Sequence, residues 1–339
     1  MVKLYTDTTY LIERNRKLIF PLLLDLWYLK NSKLLSLYEI VDIAEEADVF
    51  LLPLQYNHLA KFDSNFVEEF ISTAKKLNKK IWVYTAGDYG YTIKDESIVT
   101  FRLGGFHSKM PKQTVIIPSL IIDPYFNGSL YEFSALEWKD KPSIGFVGHA
   151  HLSMIKLLKE IYGYLKHSTK VKFRNVSEDF QSFYPSSTIR SLILRKIEKS
   201  KGLEGNFIKR KKYRAGAVTQ SNIEKSTAEF YENIFNNPYT LCVRGIGNFS
   251  VRFYETLAVG RIPILIDTDC RLPLSNCINW DKHCIIVNNT KNIEDIILNF
   301  HNSHDENSFK KLQQTNRELW LNLLTREGFF KSIANQFSN

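Results

Sequence analysis

Short apolar runs alternate with amphipathic stretches over most of this 339-residue sequence. Residues 48–54 (DVFLLPL), 81–85 (IWVYT) and 262–266 (IPILI) have the length and apolar content of buried strands. Between the first two runs, residues 65–77 place apolar side chains at helical spacing. Strands that alternate with helices predict an α/β fold built on doubly wound parallel sheets.

The least periodic stretch, residues 123–142, predicts a boundary between two domains, because it holds two prolines and a glycine. We therefore predict an N-terminal domain at residues 1–130, a C-terminal domain at 140–310 and a helical segment at 311–339. The other predicted strands are residues 2–5, 115–118, 143–147, 171–173 and 239–243. The other predicted helices are residues 154–165, 228–235, 252–259 and most of 308–337.

The charge of the chain favours anionic partners. Lys and Arg number 45 against 36 Asp and Glu, a formal charge of +9. Such an excess is typical of proteins that contact nucleic acid, nucleotide phosphates or an anionic membrane face, although a lysine-rich solvated surface gives the same count. The apolar fraction of 44% and the charged fraction of 24% exclude a wholly disordered chain, a collagen and a coiled coil.

Cysteine usage and the N-terminus bear on location. Cys242, Cys270, Cys277 and Cys284 form no C-x-x-C pair and lack histidines at zinc-finger spacing, so we interpret them as free thiols of a reducing compartment. The first residues have no signal-peptide layout, and the apolar run at 18–29 is too short to span a bilayer. These features predict a cytoplasmic protein, with peripheral contact to the inner face of the membrane left open.

The segment 239–269 reads as a strand, a glycine-rich turn, a helix and a second strand. In the turn, Gly245 and Gly247 allow the backbone to approach a ligand closely beside Asn248, and Ser250 is a good N-cap for the helix. The amide groups and the positive dipole end at the start of a helix attract anions. The segment therefore predicts an anion-binding site.

Charged side chains around the turn refine this prediction. Arg244 and Arg252 flank it, and guanidinium groups match the oxygens of a diphosphate. Glu255 lies one turn into the helix, where a carboxylate can accept the hydroxyls of a ribose. Arg210 and His149 are candidates for further contacts to the same ligand, with ordinary loop positions as the alternative.

Three interpretations of this segment stay open on these residues. Gly245-x-Gly247 with Asp267 about 20 residues later fits a dinucleotide fingerprint, but Ser250 stands where its third glycine belongs. Asp267 and Asp269 could hold a divalent cation against a nucleotide. The third interpretation is a nucleotide-sugar site in which arginines and the helix dipole replace a metal.

One motif in this segment resembles the signature of the exostosin glycosyltransferase family. It consists of Ser250, Arg252, Glu255, Leu257, Gly260, Ile262 and Pro263, followed by Asp269, Leu272 and Pro273. Residues 47–53 (ADVFLLP), 84–90 (YTAGDYG), 142–148 (PSIGFVG) and 278–280 (INW) also look like segments of that family. The resemblance runs from about residue 45 to 285.

The resemblance implies a GT-B fold, in which two Rossmann-like domains face a cleft and the C-terminal domain binds the donor. It implies an inverting, metal-independent transfer from a nucleotide sugar, which we expect to be a UDP-sugar, with no cofactor and no metal ligands. The expected acceptor is a surface polysaccharide or a lipid-linked oligosaccharide. Animal and plant members usually carry an N-terminal membrane anchor, and this sequence shows none, which suggests a bacterial-type or viral form.

An inverting transfer needs a base that takes the proton of the acceptor hydroxyl. We predict Asp88, which follows the strand at 81–85 between Gly87 and Tyr89, at the end of a strand where α/β crevices open. The alternative is an aspartate that satisfies its own turn. His58 and His107 are the candidates for acceptor contacts.

Two other classes of function compete with a transferase. One is an NAD-type oxidoreductase. The other is a basic protein that binds nucleic acid or anionic lipid, with a non-catalytic nucleotide pocket. The basic run at 195–214 suits an anionic membrane surface or a solvated face. Because the sequence contains no recognised nucleic-acid module, we predict no nucleic-acid partner.

Overall fold

The computed structural model of the protein describes residues 1–126, 132–173, 178–211, 216 and 219–338. Its first sheet has six parallel strands, which lie in the order β2-β1-β3-β4-β5-β6. A switch point lies between β1 and β3, where connections leave in opposite directions. The strands are β1 (Val2–Tyr5), β2 (Tyr38–Val41), β3 (Val49–Leu51), β4 (Lys80–Tyr84), β5 (Ile98–Arg102) and β6 (Thr114–Ile116).

The second sheet has five parallel strands in the order β8-β7-β9-β10-β11. Its switch point lies between β7 and β9. Every residue of β9 and β10 is buried, as expected for strands covered by helices on both faces of a sheet. The strands are β7 (Ser143–His149), β8 (Glu204–Arg210), β9 (Tyr239–Cys242), β10 (Ile262–Ile266) and β11 (Ile285–Val287).

Helices flank both sheets. In the first half of the chain they are α1 (Pro21–Leu23), α2 (Ser32–Leu35), α3 (Tyr56–Phe62) and α4 (Ser64–Lys76), with a π-helical turn at Leu24–Tyr28. In the second half they are α5 (Met154–Lys172), α6 (Ser186–Lys199), α7 (Gln220–Asn236), α8 (Val251–Ala258), α9 (Ile293–Asn302), α10 (Glu306–Leu319) and α11 (Arg326–Ser338). A second π-helical turn, Trp320–Leu324, precedes α11. Within the described residues, none of the helices has the length and apolar character needed to cross a bilayer.

Helix α11 returns to the first sheet and completes its core. The Tyr38 hydroxyl donates a hydrogen bond of 2.7 Å to the carbonyl of Phe330. Phe330 is fully buried, and its ring lies 6.3 Å from that of Phe20. At the helix start, Glu327 accepts a hydrogen bond of 2.8 Å from Lys33.

Polar contacts join the two halves of the molecule on either side of the cleft. Arg102, at the end of β5, is 1% exposed and pairs with Asp179 at 2.8 Å. Asp179 also accepts hydrogen bonds from the backbone and hydroxyl of Thr92. In a separate contact, the Ser108 hydroxyl donates to Asp269 at 2.5 Å.

The predicted fold class is confirmed, since two doubly wound parallel sheets face a cleft and a C-terminal helix is present. This is the GT-B architecture. One predicted strand is wrong: residues 171–173 form the end and C-cap of α5, because its helical spacing continues to Lys172. Four strands were not predicted, namely β2, β5, β8 and β11. The domain limits stay a prediction.

Candidate active site

A cavity of about 560 Å³ opens between the carboxyl ends of β7, β8 and β9 and the loop that follows β4. It lies at the β7/β9 switch point of the second sheet, where α/β proteins commonly bind ligands. Most of the predicted site residues line it, namely Asp88, His149, Arg210, Gly245, Gly247, Ser250, Arg252 and Glu255. Residues from both halves of the molecule thus line a single cavity.

Two glycines allow close contacts between segments that line this cavity. A Cβ atom on Gly247 would lie 2.2 Å from the carbonyl oxygen of Asp88, so the turn after β9 contacts the loop after β4 only because residue 247 lacks a side chain. A Cβ atom on Gly148 would lie 2.8 Å from Nη2 of Arg252. The end of β7 therefore leaves the space that the Arg252 guanidinium fills.

Arg252 lies in the first turn of α8 and points back to the end of β7. Its Nη2 donates a hydrogen bond of 2.6 Å to the carbonyl of Val147, and its guanidinium lies 4.4 Å from the centre of the Phe146 ring. Burial lowers the pKa of this guanidinium. Its Nε–H has no hydrogen-bond partner among the described residues.

Two more arginines line the same cavity. Arg210 ends β8, donates to the Ser226 hydroxyl at 2.7 Å and pairs with Glu229. Arg190 of α6 donates to the carbonyl of Arg244 at 2.8 Å, and burial lowers its pKa to about 10. In the described part of the chain, the Nε–H of each also lacks a partner. Because guanidinium groups match the oxygens of phosphates, three of them in the lining of one cavity suit an anion.

Glu255 is the carboxylate that shares α8 and the cavity with Arg252. Burial raises the pKa of Glu255, and the positive charge of Arg252 opposes that shift. The cavity therefore combines three guanidinium groups with a carboxylate, which suits a ligand that has both a diphosphate and hydroxyl groups.

Asp88 and His149 lie at the rim of the cavity. Asp88 is exposed on the loop that follows β4, at the carboxyl end of that strand. Nζ of Lys156 donates to the ring of His149, with Nε2 at 2.6 Å. Asp88 and His149 thus line the cavity from opposite halves of the molecule.

Ser250 holds the N-cap position of α8, as predicted, but its side chain makes no capping hydrogen bond. Ser250 also lines the cavity, beside Gly245 and the start of α8.

Arg244 and Asn248 do not line this cavity, although their neighbours do. The Arg244 side chain is 2% exposed and its guanidinium lies 4.1 Å from the centre of the Tyr184 ring. Asn248 is also buried and donates to the carbonyls of Gly105, Thr268 and Asp269 at 3.1, 2.9 and 3.0 Å. Asn248 therefore fastens the turn to the opposite half of the molecule.

The two histidines predicted to contact an acceptor lie elsewhere. His58 is exposed on α3, with its ring stacked on Phe62 at 6.2 Å. His107 lines a second interdomain cavity of about 1010 Å³, and its Nδ1 accepts a hydrogen bond of 3.0 Å from Arg271. Neither histidine lines the first cavity.

Asp267 and Asp269 make contacts within the protein. Asp267 accepts a hydrogen bond of 2.8 Å from the backbone of Cys270, and it does not line the cavity beside the glycine-rich turn. Asp269 contacts Ser108 across the cleft. Over the described residues, no group of three or more His, Cys, Asp or Glu side chains is placed to hold a metal ion.

Sequence reasoning missed the five residues of α6 and α7 that line the cavity, namely Arg190, Ser226, Thr227, Phe230 and Tyr231. They lie on α6 and α7, where they read as ordinary residues of amphipathic helices. The one signal available in the sequence was that Arg190 lies close to the basic run at 195–214, which indicates a basic surface nearby.

Comparison with known sequences gives two partial matches and no matching protein-family model. A valine–tRNA ligase from Buchnera aphidicola (subsp. Schizaphis graminum) is 23% identical over 204 residues, which is 56% of this chain. An exostosin-1 homolog from Caenorhabditis elegans is 33% identical over 75 residues, which is 22% of this chain. Each match spans 20% of the relative's own length.

Comparison with solved structures gives distant matches. A Staphylococcus aureus TarM mutant in complex with fondaparinux, α-GlcNAc-glycerol and UDP has 9% identity and a TM-score of 0.40 over 86% of this chain and 55% of that one. An α-glucosyltransferase in complex with UDP-glucose and DNA containing an abasic site has 11% identity and a TM-score of 0.33 over 100% and 99% of the two chains. The pneumococcal O-GlcNAc transferase GtfA has 12% identity and a TM-score of 0.31 over 86% and 57%.

Proposed function

We propose that this protein is an inverting glycosyltransferase that moves a sugar from a nucleotide sugar to a hydroxyl group of a glycan. The observation that carries the proposal is the cluster of Arg190, Arg210 and Arg252 in the lining of one cavity. A diphosphate is the group in a nucleotide sugar that such a cluster would hold. A UDP-sugar is the donor we propose.

The roles of the residues follow from the direction in which charge moves. The acceptor oxygen forms a bond to the anomeric carbon while the bond from that carbon to the diphosphate breaks, and the diphosphate keeps the electron pair. The arginines and the start of α8 stabilise the departing diphosphate, an effect worth several kcal/mol in a site with little water. Asp88, on the opposite wall, takes the proton of the acceptor hydroxyl, and Glu255 accepts hydrogen bonds from the ribose.

The family assignment is part of this proposal. The 33% identity to the exostosin-1 homolog supports an exostosin-type enzyme, as does the motif that contains Arg252 and Glu255. We propose a metal-independent transfer with no cofactor, and a surface polysaccharide or lipid-linked oligosaccharide as acceptor. The donor-phosphate roles of Arg244 and Asn248 and the acceptor roles of His58 and His107 have less support, since these residues lie outside the cavity.

A dinucleotide site has weaker support than a nucleotide-sugar site. In a dinucleotide fingerprint the acidic residue about 20 positions after the glycines reaches the ribose. Asp267 is at that position, but it bonds the backbone of Cys270 and does not line the cavity. NAD is therefore the comparison ligand in the test.

The test is a thermal-shift screen with UDP, UDP-sugars, GDP, CMP and NAD, each with and without EDTA. A ligand at 100 times its Kd stabilises the folded protein by about 2.7 kcal/mol, which is readily measured. We expect stabilisation by UDP or one UDP-sugar that EDTA does not change. Stabilisation by NAD alone, or by no nucleotide, would refute the proposed function.

Substitution of Arg252 tests the site itself. Arg252→Lys keeps the positive charge but loses the planar fork that spans Val147 and a phosphate, so we expect at least a tenfold weaker affinity for UDP, about 1.4 kcal/mol. Arg195→Lys, on the exposed side of α6, is the matched control and should bind UDP like the wild type. Equal affinities of all three proteins would contradict the site.

A further inference from the structure

Helix α5 (Met154–Lys172) has an apolar side that the described part of the chain leaves uncovered. None of its residues is buried. Five apolar side chains are each more than half exposed: Met154, Ile155, Leu158, Tyr162 and Leu165. At helical periodicity they fall within an arc of about 100°, which is the width of a stripe that a surface helix normally buries.

Lysines follow one edge of this apolar stripe. Lys159, Lys166 and Lys170 are exposed, and the helical spacing sets them side by side next to Ile155 and Tyr162. The whole helix holds five lysines and one glutamate. An apolar stripe with a cationic border is typical of a helix that lies in the headgroup region of a membrane.

Two exposed phenylalanines lie next to α5. Phe173, at the C-cap of α5, is 70% exposed, and Phe180 is 51% exposed. The ring of Phe180 lies 6.2 Å from that of Tyr164, on the inner side of the helix. Phe173 therefore extends the apolar surface at the end of the helix, whereas Phe180 packs on the side of α5 away from the stripe.

We propose that α5 binds a membrane surface that carries anionic lipids, with the stripe inserted among the acyl chains and the lysines at the headgroups. Lysines near such a surface are attracted to its anionic headgroups, and burial of the apolar side chains adds to the binding. Charge complementarity therefore favours an anionic bilayer over a second copy of this chain, which has the same net charge of +9.

This proposal differs from the membrane contact predicted for residues 195–214. The described part of that run is divided between the end of α6 and β8. Arg210 lines the cavity, and Lys209 pairs with Glu198 at 2.7 Å. Two of its charges are thus engaged within the protein, whereas α5 combines exposed lysines with exposed apolar side chains, so we place the contact at α5.

The position of α5 connects the membrane to the cavity. The helix follows the end of β7, where Lys156 contacts His149 on the cavity rim. Farther along, the ring of His167 stacks on that of Tyr89 at 4.2 Å, next to Asp88. A bilayer on α5 would bring a lipid-linked acceptor to the mouth of the cavity, and this consequence alone rests on the proposed transferase activity.

The test is sedimentation of the whole protein with vesicles of pure phosphatidylcholine and with vesicles that also contain phosphatidylglycerol. We expect binding to the anionic vesicles only. Lys159→Glu/Lys166→Glu and Leu158→Glu/Leu165→Glu should each lower the vesicle partition coefficient by at least about tenfold. Because all four side chains are exposed, the folded state should persist in both variants.

Matched variants elsewhere on the surface provide the controls. Lys61→Glu/Lys76→Glu makes the same change of charge, and Phe62→Glu replaces an apolar residue that is 76% exposed. Both should sediment like the wild type. Absence of binding, an equal loss in the controls, or a dimer that Leu158→Glu dissociates would overturn the proposal. Because UDP binding is measured separately in each variant, failure of this proposal is distinguishable from failure of the proposed function.

Discussion

At the scale of single residues, Glu255 is a carboxylate in a cavity that three arginines line. Burial raises its pKa, so it takes up a proton at a higher pH than an ordinary glutamate. A protonated carboxyl is a poorer acceptor for ribose hydroxyls. We therefore expect the affinity for a UDP-sugar to fall as pH falls through this raised pKa and to be greatest above it.

Glu255→Gln isolates this effect. The variant should bind the UDP-sugar about tenfold more weakly at pH 8, since a hydrogen bond to a charged group contributes about 1.5–3 kcal/mol. Its affinity should also lose the pH dependence that Glu255 causes. Calorimetric titrations at pH 8, 7, 6 and 5 provide the measurement, with Glu232→Gln on the exposed side of α7 as control. A pH profile that is the same in all three proteins would contradict the role.

At the scale of secondary-structure elements, His301 anchors α9 to the segment that enters the second sheet. Its Nε2–H donates to the carbonyl of Lys139 at 2.7 Å, and its Nδ1 accepts from the Tyr239 hydroxyl at 2.9 Å. Burial lowers the pKa of His301. Below about pH 6.5 the histidine of the unfolded chain therefore binds a proton more readily than that of the folded protein. The free energy of unfolding consequently decreases as the pH is lowered through this range.

The expected result is a wild-type protein that loses stability between pH 7 and pH 5, and a His301→Asn variant that is less stable at pH 7 but has a flatter pH dependence. Urea unfolding at each pH gives the free energies. His58→Asn changes an exposed histidine and should keep the wild-type slope. If His301→Asn keeps that slope too, the histidine does not control it.

At the scale of the whole molecule, the Arg102–Asp179 pair is one of the contacts that join the two halves. Arg102 is almost fully buried, and its guanidinium also donates to the carbonyls of Tyr89 and Gly104. Asp179→Ala leaves that charge without its carboxylate, so we expect the free energy of unfolding to fall by about 3–5 kcal/mol. Glu13→Ala removes the partner of exposed Arg16 and should change it by less than about 1 kcal/mol.

Urea unfolding measures both variants. Arg102→Met/Asp179→Leu replaces both charges with apolar groups and should recover much of the loss seen in Asp179→Ala. A double variant that is no more stable than Asp179→Ala would show that the carboxylate acts through something other than the buried guanidinium.

The sequence was sufficient for those elements that have a strong local pattern. Strand β10 is an uninterrupted apolar run, β9 is apolar except for Thr240, and the glycines of the turn after β9 mark a close backbone approach. Strand β8 (EGNFIKR) was missed because it is polar and partly exposed, so its strand identity depends on pairing with β7.

The candidate site, too, could be predicted only where local sequence pattern was sufficient. Arg252 and Glu255 could be found because they share one helix with the glycine-rich turn. Arg190 comes from a helix far away in sequence, and only the packing of α6 brings it to the cavity. The neighbours of Arg244 line the cavity, but its own side chain packs on the ring of Tyr184. Composition and spacing do not specify the direction of a side chain.

The return of α11 to the first sheet has a consequence for how the chain is made. Tyr38 and its partner Phe330 are 292 residues apart, and Phe20 packs on the same phenylalanine. A ribosome exposes residues in order, and domains generally fold as units while synthesis proceeds. The strands of the first sheet can pair early, but the side of its core that α11 covers stays open until the second sheet and α11 have been translated. The half that is synthesised first is therefore the half that finishes folding last.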